Sequence, residues 1–335
     1  MIICGLDIGG TKVEAAFFEV VKETQDSDHW QEIQVGGEIL FLRNRGSRRI
    51  PTERSRGYQI VIENISNLIK DLSKELTIGL DEIKGIGIGL PGSVDPKKKA
   101  MSNGNTRIFL DKNLENDLQI LLKLPIPVEV SNDANCFALA EVLAGAGITY
   151  AKEAGKPVKK QNGLGLILGT GLGGGCVING QLITGASGSA FEVGHMSIEL
   201  DGGLPCHCGL EGCAEQYLSG TAIEAAYSSR MYSQIAERPD ARKIFEMAEQ
   251  QEPMAQAIIK QYKKRLAKYL GNLTNILDPD YFVLGGGVSL QSVVYEDLEE
   301  ELRRHTYSPV ARPKVYCHQL GDSAGVLGAA LLALI

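Results

Sequence analysis

Two stretches of this chain follow one pattern. Gly5-Leu6-Asp7-Ile8-Gly9-Gly10-Thr11 and Ile167-Leu168-Gly169-Thr170-Gly171-Leu172-Gly173-Gly174 each run from an apolar strand into a Gly/Thr turn and resume as an extended stretch. They lie about 160 residues apart, too long a period for a solenoid. One β-hairpin module used twice, once per domain, accounts for both. Helical stretches alternate with the strands, so both domains read as α/β. The length of 335 residues agrees with two domains.

The turns themselves point to a ligand. Glycine reaches 39 residues, above the usual share of about 7%, and it is clustered and not periodic. In Asp7-Ile8-Gly9-Gly10-Thr11-Lys12 the glycines let backbone N–H groups face a phosphate; Thr11 adds a hydroxyl, Lys12 a charge, and Asp7 a carboxylate for Mg²⁺. An ordinary hairpin turn is the competing reading. The G-x-x-x-x-G-K-[ST] spacing of a Walker loop is absent. Gly169 to Gly175 holds five glycines in seven residues, more than a structural hairpin needs. Gly285-Gly286-Gly287 follows a strand and would let a planar group lie against the backbone. Together the three turns suggest a bound nucleotide.

Ser131-Asn132-Asp133-Ala134-Asn135 follows a strand end. Asp133 fits either a base for a substrate hydroxyl or a helix N-cap, and spacing alone favours the cap. Three of the seven cysteines read C-x-C-x₄-C: Cys206, Cys208 and Cys213. With His195 upstream they match a Cys₃His structural zinc set, with His207 as the rival histidine. Cys4, Cys136 and Cys317 read as buried small hydrophobes.

Elsewhere the pattern predicts a hairpin over 2–21 and a strand from 33 that gives way to a solvated basic loop, Arg43–Arg56. It predicts an amphipathic helix from Tyr58 to about Leu76, strands over Ile83–Leu90 and Pro127–Ser131, and a helix over Asp133–Leu143. A loop follows at 151–162, then a second hairpin over Leu164–Ile178. Helices are expected over Cys213–Met231, Met254–Leu277, Gln291–His305 and Ala324–Leu334, with strands at Tyr281–Leu284 and Lys314–Gln319.

Composition excludes several classes. Hydrophobic residues at 44% and charged residues at 22% are ordinary for a globular chain, so disorder is not expected. The formal charge of −7 argues against a duplex-DNA binder. No apolar run reaches the 18 or so residues of a membrane span, and the N-terminus lacks a signal pattern. A cytoplasmic protein without nucleic-acid or membrane partners is the expectation.

The motifs in order resemble the ROK family (repressors, open reading frames, sugar kinases) over essentially the whole chain. They are Asp7–Lys12, Gly87–Pro96, Asn132–Asn135, Gly169–Gly175, Glu192-Val193-Gly194-His195, Cys206–Cys213, Glu215–Gly220 and Gly285–Gly287. Within the family the chain looks most like bacterial hexose kinases, for N-acetylglucosamine, fructose or glucose. The resemblance implies an actin-like, ribonuclease H-like, hexokinase-type α/β fold. A small first domain would hold 1–131 plus 322–335, and a larger second one 132–321 with a zinc knuckle. It implies ATP and Mg²⁺ as cofactors, with structural Zn²⁺ on His195, Cys206, Cys208 and Cys213. Asp133 would be the catalytic base. Gly92, Asn132, Glu192, His195 and Glu215 would bind the sugar with it. Asp7, Gly9, Gly10, Thr11, Lys12, Gly169, Thr170 and Gly171 would hold the phosphates, and Gly285, Gly286 and Gly287 the adenosine. A homodimer or homotetramer is implied.

One residue departs from the family pattern. Phe191 stands where the family usually has Gly before the Glu of Glu-x-x-His, and its ring either reshapes the sugar pocket or points into the core. Two other functions are weighed: a sugar-responsive repressor, which would carry a helix-turn-helix where only six residues precede Asp7, and a non-catalytic sugar sensor.

Overall fold

The computed structural model describes residues 1–24, 29–104, 106–230 and 238–335. They form two compact units. The first comprises Met1–Gln161, Gly175–Phe191 and Gln319–Ile335, and the second Asn162–Gly174 and Glu192–His318.

The first unit is built on a six-stranded sheet. Its order is Gln31–Val35, Glu38–Pro51, Lys12–Val21, Ile2–Ile8, Ile83–Leu90 and Val128–Asn132. The first three pairings are antiparallel and the last two parallel. The Tyr58–Glu75 helix buries Val61, Ile62, Ile65, Leu68, Ile69 and Leu72, the apolar stripe its spacing predicts. On the other face lies the terminal helix, Ala324–Leu332, which is apolar nearly all round and buried. Its approach depends on missing side chains. A Cβ at Gly5 would run into the Val326 carbonyl, and one at Gly87 into that of Ala329. Two of the strands under this helix therefore need glycine for packing, not for a turn.

Residues 133–154 are long and apolar enough to cross a membrane by length and composition, yet 83% of their apolar 18-residue stretch is buried within the protein. Asp133–Ala144 is a core helix of the first unit, and Ala146–Ala154 is buried over its first turn, Ala146–Ile148. Glu141 explains the break between them. Its carboxylate Oε2 accepts from Ala146 N at 3.3 Å, and Oε1 accepts from Gln319 N and Leu320 N, both at 2.9 Å. These bonds tie the helix to the segment that enters the terminal helix. Both helices and this segment belong to the first unit.

In the second unit Asn162–Leu168, Tyr281–Gly285 and Lys314–Cys317 are parallel strands with Tyr281–Gly285 in the middle. The 25-residue helix Pro253–Leu277 packs against the Ala241–Glu249 and Leu298–Arg303 helices.

Several local expectations are corrected. The basic stretch 43–56 is mostly strand, because Glu38–Pro51 pairs along the whole of Lys12–Val21. The 151–162 loop is helical to Ala154 and has a 3₁₀ turn at Val158–Lys160. The 291–305 helix is shortened to Leu298–Arg303 by Asp297, which is left-handed at φ 58°. The helix from Cys213 divides at Ser219 into Glu215–Leu218 and Gly220–Ser228, since the Ser219 hydroxyl caps Ala222 N; its expected end at Met231 lies outside the described residues. Cys4 and Cys136 are buried as expected, but Cys317 is half-buried.

Candidate functional site

In the first unit Asp7, Gly9, Gly10, Thr11 and Lys12 form one tight turn. Gly9 N donates to Lys12 O at 2.9 Å. Thr52 braces it from the end of the Glu38–Pro51 strand. Its N–H donates to Thr11 O at 3.0 Å, and its hydroxyl to Gly9 O at 2.7 Å.

Asp7 stands directly across from Glu14, and Glu14 across from Arg49, so three neighbouring strands carry one charged row. Arg49 Nε donates to Glu14 Oε2 at 2.7 Å. Burial, then the charges of Asp133 and Glu14, push Asp7 up from 3.8 to about 6, while Lys12 and Arg49 pull the other way. Sequence reasoning missed Glu14 and Arg49. The available signal was a glutamate inside the apolar run Val13–Phe18.

The helix cap is Asn132 and not Asp133. Asn132 Oδ1 accepts from Ala134 N at 2.7 Å and its Nδ2 donates to Gly92 O at 3.4 Å, which ties Gly92 to the same corner. Asp133 is thereby the first residue of the helix, at the positive end of its dipole, with Oδ1 accepting from Ala134 N at 2.8 Å. Asp133 is also the first of the charges raising Asp7, so the two carboxylates share one neighbourhood.

In the second unit two glycine turns come together. A Cβ at Gly286, where φ is 81°, would stand 2.5 Å from Leu168 O and 2.9 Å from Gly169 N. Gly285 pairs with Ile167 in the parallel register. The Gly220–Ser228 helix closes on the same place. Gly220 N donates to Gly169 O at 2.7 Å, and the Thr221 hydroxyl donates to Thr170 O at 2.7 Å. Gly169, Thr170 and Gly171 therefore lie at a helix N-terminus, an anion-favouring position. Gly287 has open space where its Cβ would be.

Glu215 links this turn to the cysteine cluster. Its Oε2 accepts from Leu172 N at 3.0 Å, and its Oε1 lies 3.2 Å from His207 Nδ1. Glu192 leads the short 3₁₀ turn Val193–His195. That turn is held by Tyr269 O–H donating to Val193 O at 3.1 Å, and by Gly194, whose Cβ would strike the Leu172 carbonyl. Phe191, just before it, has φ 65°. This left-handed backbone is the physical reason a glycine suits the position.

His195, Cys206, Cys208 and Cys213 bring one ligand atom each within 4.8 Å of one another. Cys208 Sγ to Cys213 Sγ is 3.7 Å, and Cys206 Sγ to His195 Nδ1 is 3.7 Å. A tetrahedral zinc with bonds of about 2.3 Å to sulfur and 2.0 Å to nitrogen sets those separations at ~3.8 and ~3.5 Å. The donor set and its spacing fit the metal. His207 Nδ1 lies 3.2 Å from Glu215 Oε1 and 3.8 Å from Cys206 Sγ, and its ring meets the His195 ring edge-on at 5.4 Å. Burial and the neighbouring Cys208 and Cys206 thiols push Cys213 up to about 12.

The sequence profile of the ROK family matches residues 3–335. The chain belongs to the ROK family. Its relatives in the family include N-acetyl-D-glucosamine kinase from Salmonella paratyphi B, 34% identical over 98% of this chain and 98% of that one. Among solved structures, a ROK hexokinase from Thermus thermophilus has a TM-score of 0.77 at 30% identity, covering 100% of this chain and 98% of that one. A ROK family glucokinase from Streptomyces griseus, solved with glucose and AMPPNP, has a TM-score of 0.72 at 27% identity, covering 100% and 99%. The fold is thus the α/β, ribonuclease H-like fold of ROK sugar kinases.

Proposed function

We propose that this ROK protein is an ATP-dependent hexose kinase acting on the 6-hydroxyl, with N-acetylglucosamine first among its substrates. The observation that carries the reading is the near-full-length likeness to an N-acetyl-D-glucosamine kinase. Agreement of the turn and carboxylate geometry with phosphoryl transfer supports it.

Asp133 would accept the proton of the sugar hydroxyl as the new O–P bond forms and the bond to ADP breaks. Phosphoryl transfer has a loose transition state, so its catalysis is mainly positioning and charge stabilisation. Asn132, Gly92, Glu192, His195 and Glu215 are the proposed sugar contacts. The N–H groups and side chains of Gly9–Lys12, with Gly169, Thr170 and Gly171, would receive phosphate oxygens. Gly285–Gly287 would pack against adenosine. Mg²⁺, when bound, offsets charge on the phosphates, and Asp7 is the carboxylate suited to hold it, usually through water. Zn²⁺ on His195, Cys206, Cys208 and Cys213 would be structural, because four protein ligands leave no open position. The functional domains would be 1–131 plus 322–335 and 132–321, in a cytoplasmic homodimer or homotetramer.

The experiment is sugar-dependent ADP release with Mg-ATP over a panel of hexoses and N-acetylhexosamines, for the wild type and Asp133→Asn. Removing a positioned base costs about 10²–10⁴-fold. We expect turnover concentrated on N-acetylglucosamine and lost by that factor in the variant. Near-normal turnover of Asp133→Asn would remove the base from the mechanism, and a strong preference for another sugar would reassign the substrate.

A further inference from the structure

The arginines of the 43–56 stretch do not share one role. Arg43 and Arg45 pair with Glu19 at 2.7 and 3.0 Å, and Arg48 with Glu75 at 3.9 Å. Arg49 pairs with Glu14 at 2.7 Å, and Arg56 with Glu53 at 2.8 Å. Arg54 alone of the six has no carboxylate partner among the described residues.

Its position is nonetheless specified. Arg54 Nη1 lies 3.5 Å from the point where a Gly10 Cβ would stand, and Thr106 Oγ1 lies 3.9 Å from that point. The guanidinium therefore sits over the glycine of the Asp7–Lys12 turn. Three features put it there. Thr52 is bonded to both Gly9 and Thr11, which locks the chain two residues before Arg54 onto the turn. Glu53 is left-handed at φ 51°, which redirects the backbone between them. Asn64 Nδ2 and Arg56 Nη1 both donate to Glu53 Oε2, at 3.1 and 2.8 Å, so the adjacent carboxylate is already engaged. What remains over Gly10 is an exposed guanidinium with no carboxylate partner among the described residues, with the Thr106 hydroxyl near the same point.

We propose that Arg54 is a phosphate-contacting residue: its guanidinium takes oxygens of the nucleotide's terminal phosphoryl group at the Gly9–Lys12 turn. This rests on the kinase reading of that turn. A planar guanidinium presents a fork of donors that matches a tetrahedral phosphate, whereas lysine is a point charge. Arg54 would thus discriminate ATP from ADP at the bound state and stabilise the group during transfer.

The test reads binding and turnover separately. Wild type, Arg54→Gln and Arg54→Lys are titrated calorimetrically with Mg-AMPPNP and with Mg-ADP. Loss of one charge-assisted phosphate contact is worth about tenfold in affinity. We expect Arg54→Gln to weaken AMPPNP by about that factor and ADP less than about twofold, with Arg54→Lys between. AMPPNP affinity within about twofold of wild type, or an equal loss for both nucleotides, overturns the proposal. In the kinetic arm Arg54→Gln should lower kcat at least about tenfold on the preferred sugar, and free guanidinium ion should restore part of it. A solvated surface arginine would show neither effect. If the wild type turns over no sugar, the kinase reading fails, while the paired nucleotide affinities still decide Arg54.

Discussion

Asp7→Asn should make this protein more stable and less active at the same time. In the folded chain the carboxylate is mostly buried, opposite Glu14 and near Asp133, and it titrates at about 6 instead of 3.8. A shift of about two pKa units at about 1.4 kcal/mol each puts ~3 kcal/mol against the ionised folded state. The sign follows from proton binding. Between pH 3.8 and about 6 the folded chain holds the proton that the unfolded chain has released, so stability falls as pH rises through that window. A neutral amide removes the penalty. Its NH₂ must still find acceptors, which lowers the net gain to about 1–3 kcal/mol. The gain should be full above about pH 6.5, about half at pH 5, and nearly gone at pH 4. Urea unfolding without added Mg²⁺ or nucleotide at pH 8 and pH 5 measures it, with Mg-ATP turnover assayed in parallel. Destabilisation at pH 8, or an equal gain at both pH values, would refute the electrostatic account of this corner.

Three further outcomes are expected. Cys208→Ser should abolish the one zinc per chain read by metal analysis and lower Tm; a zinc-free wild type with the same Tm as the variant would contradict the metal site. Glu141→Gln should cost ~3 kcal/mol in chemical unfolding, since an amide cannot accept from Ala146, Gln319 and Leu320 N–H groups together; a change below about 1 kcal/mol would show that the bonds are dispensable. Phe191→Gly should leave Tm within about 2 °C, because relief of left-handed strain offsets the glycine's entropy, while shifting relative kcat/KM across the sugar panel. A large fall in Tm with an unchanged sugar preference would place the ring in the core instead.

The sequence determined the local devices of this protein. Glycine can be read wherever a turn demands it, so both hairpin turns were legible, as was the C-x-C-x₄-C ligand spacing. The Tyr58–Glu75 helix was legible because its apolar period repeats over several turns. Only the tertiary structure decided which distant groups meet. His195 joins Cys206, Cys208 and Cys213 in a four-atom cluster, while His207, whose Nδ1 is 3.8 Å from Cys206 Sγ, also reaches Glu215. Asn132 takes the cap and leaves Asp133 beside Asp7, a relation set by the parallel register of Val128–Asn132 against Ile83–Leu90 and of that strand against Ile2–Ile8. The run of arginines looked like a solvated loop since charge patterning carries no information about partners. Sheet pairing sorted it, placing Arg49 against Glu14 and carrying Arg54 over Gly10. Periodicity and turn chemistry act over a few residues, whereas pairing register and burial are properties of the assembled sheet; that is why the turns could be read from the chain and their charged surroundings could not.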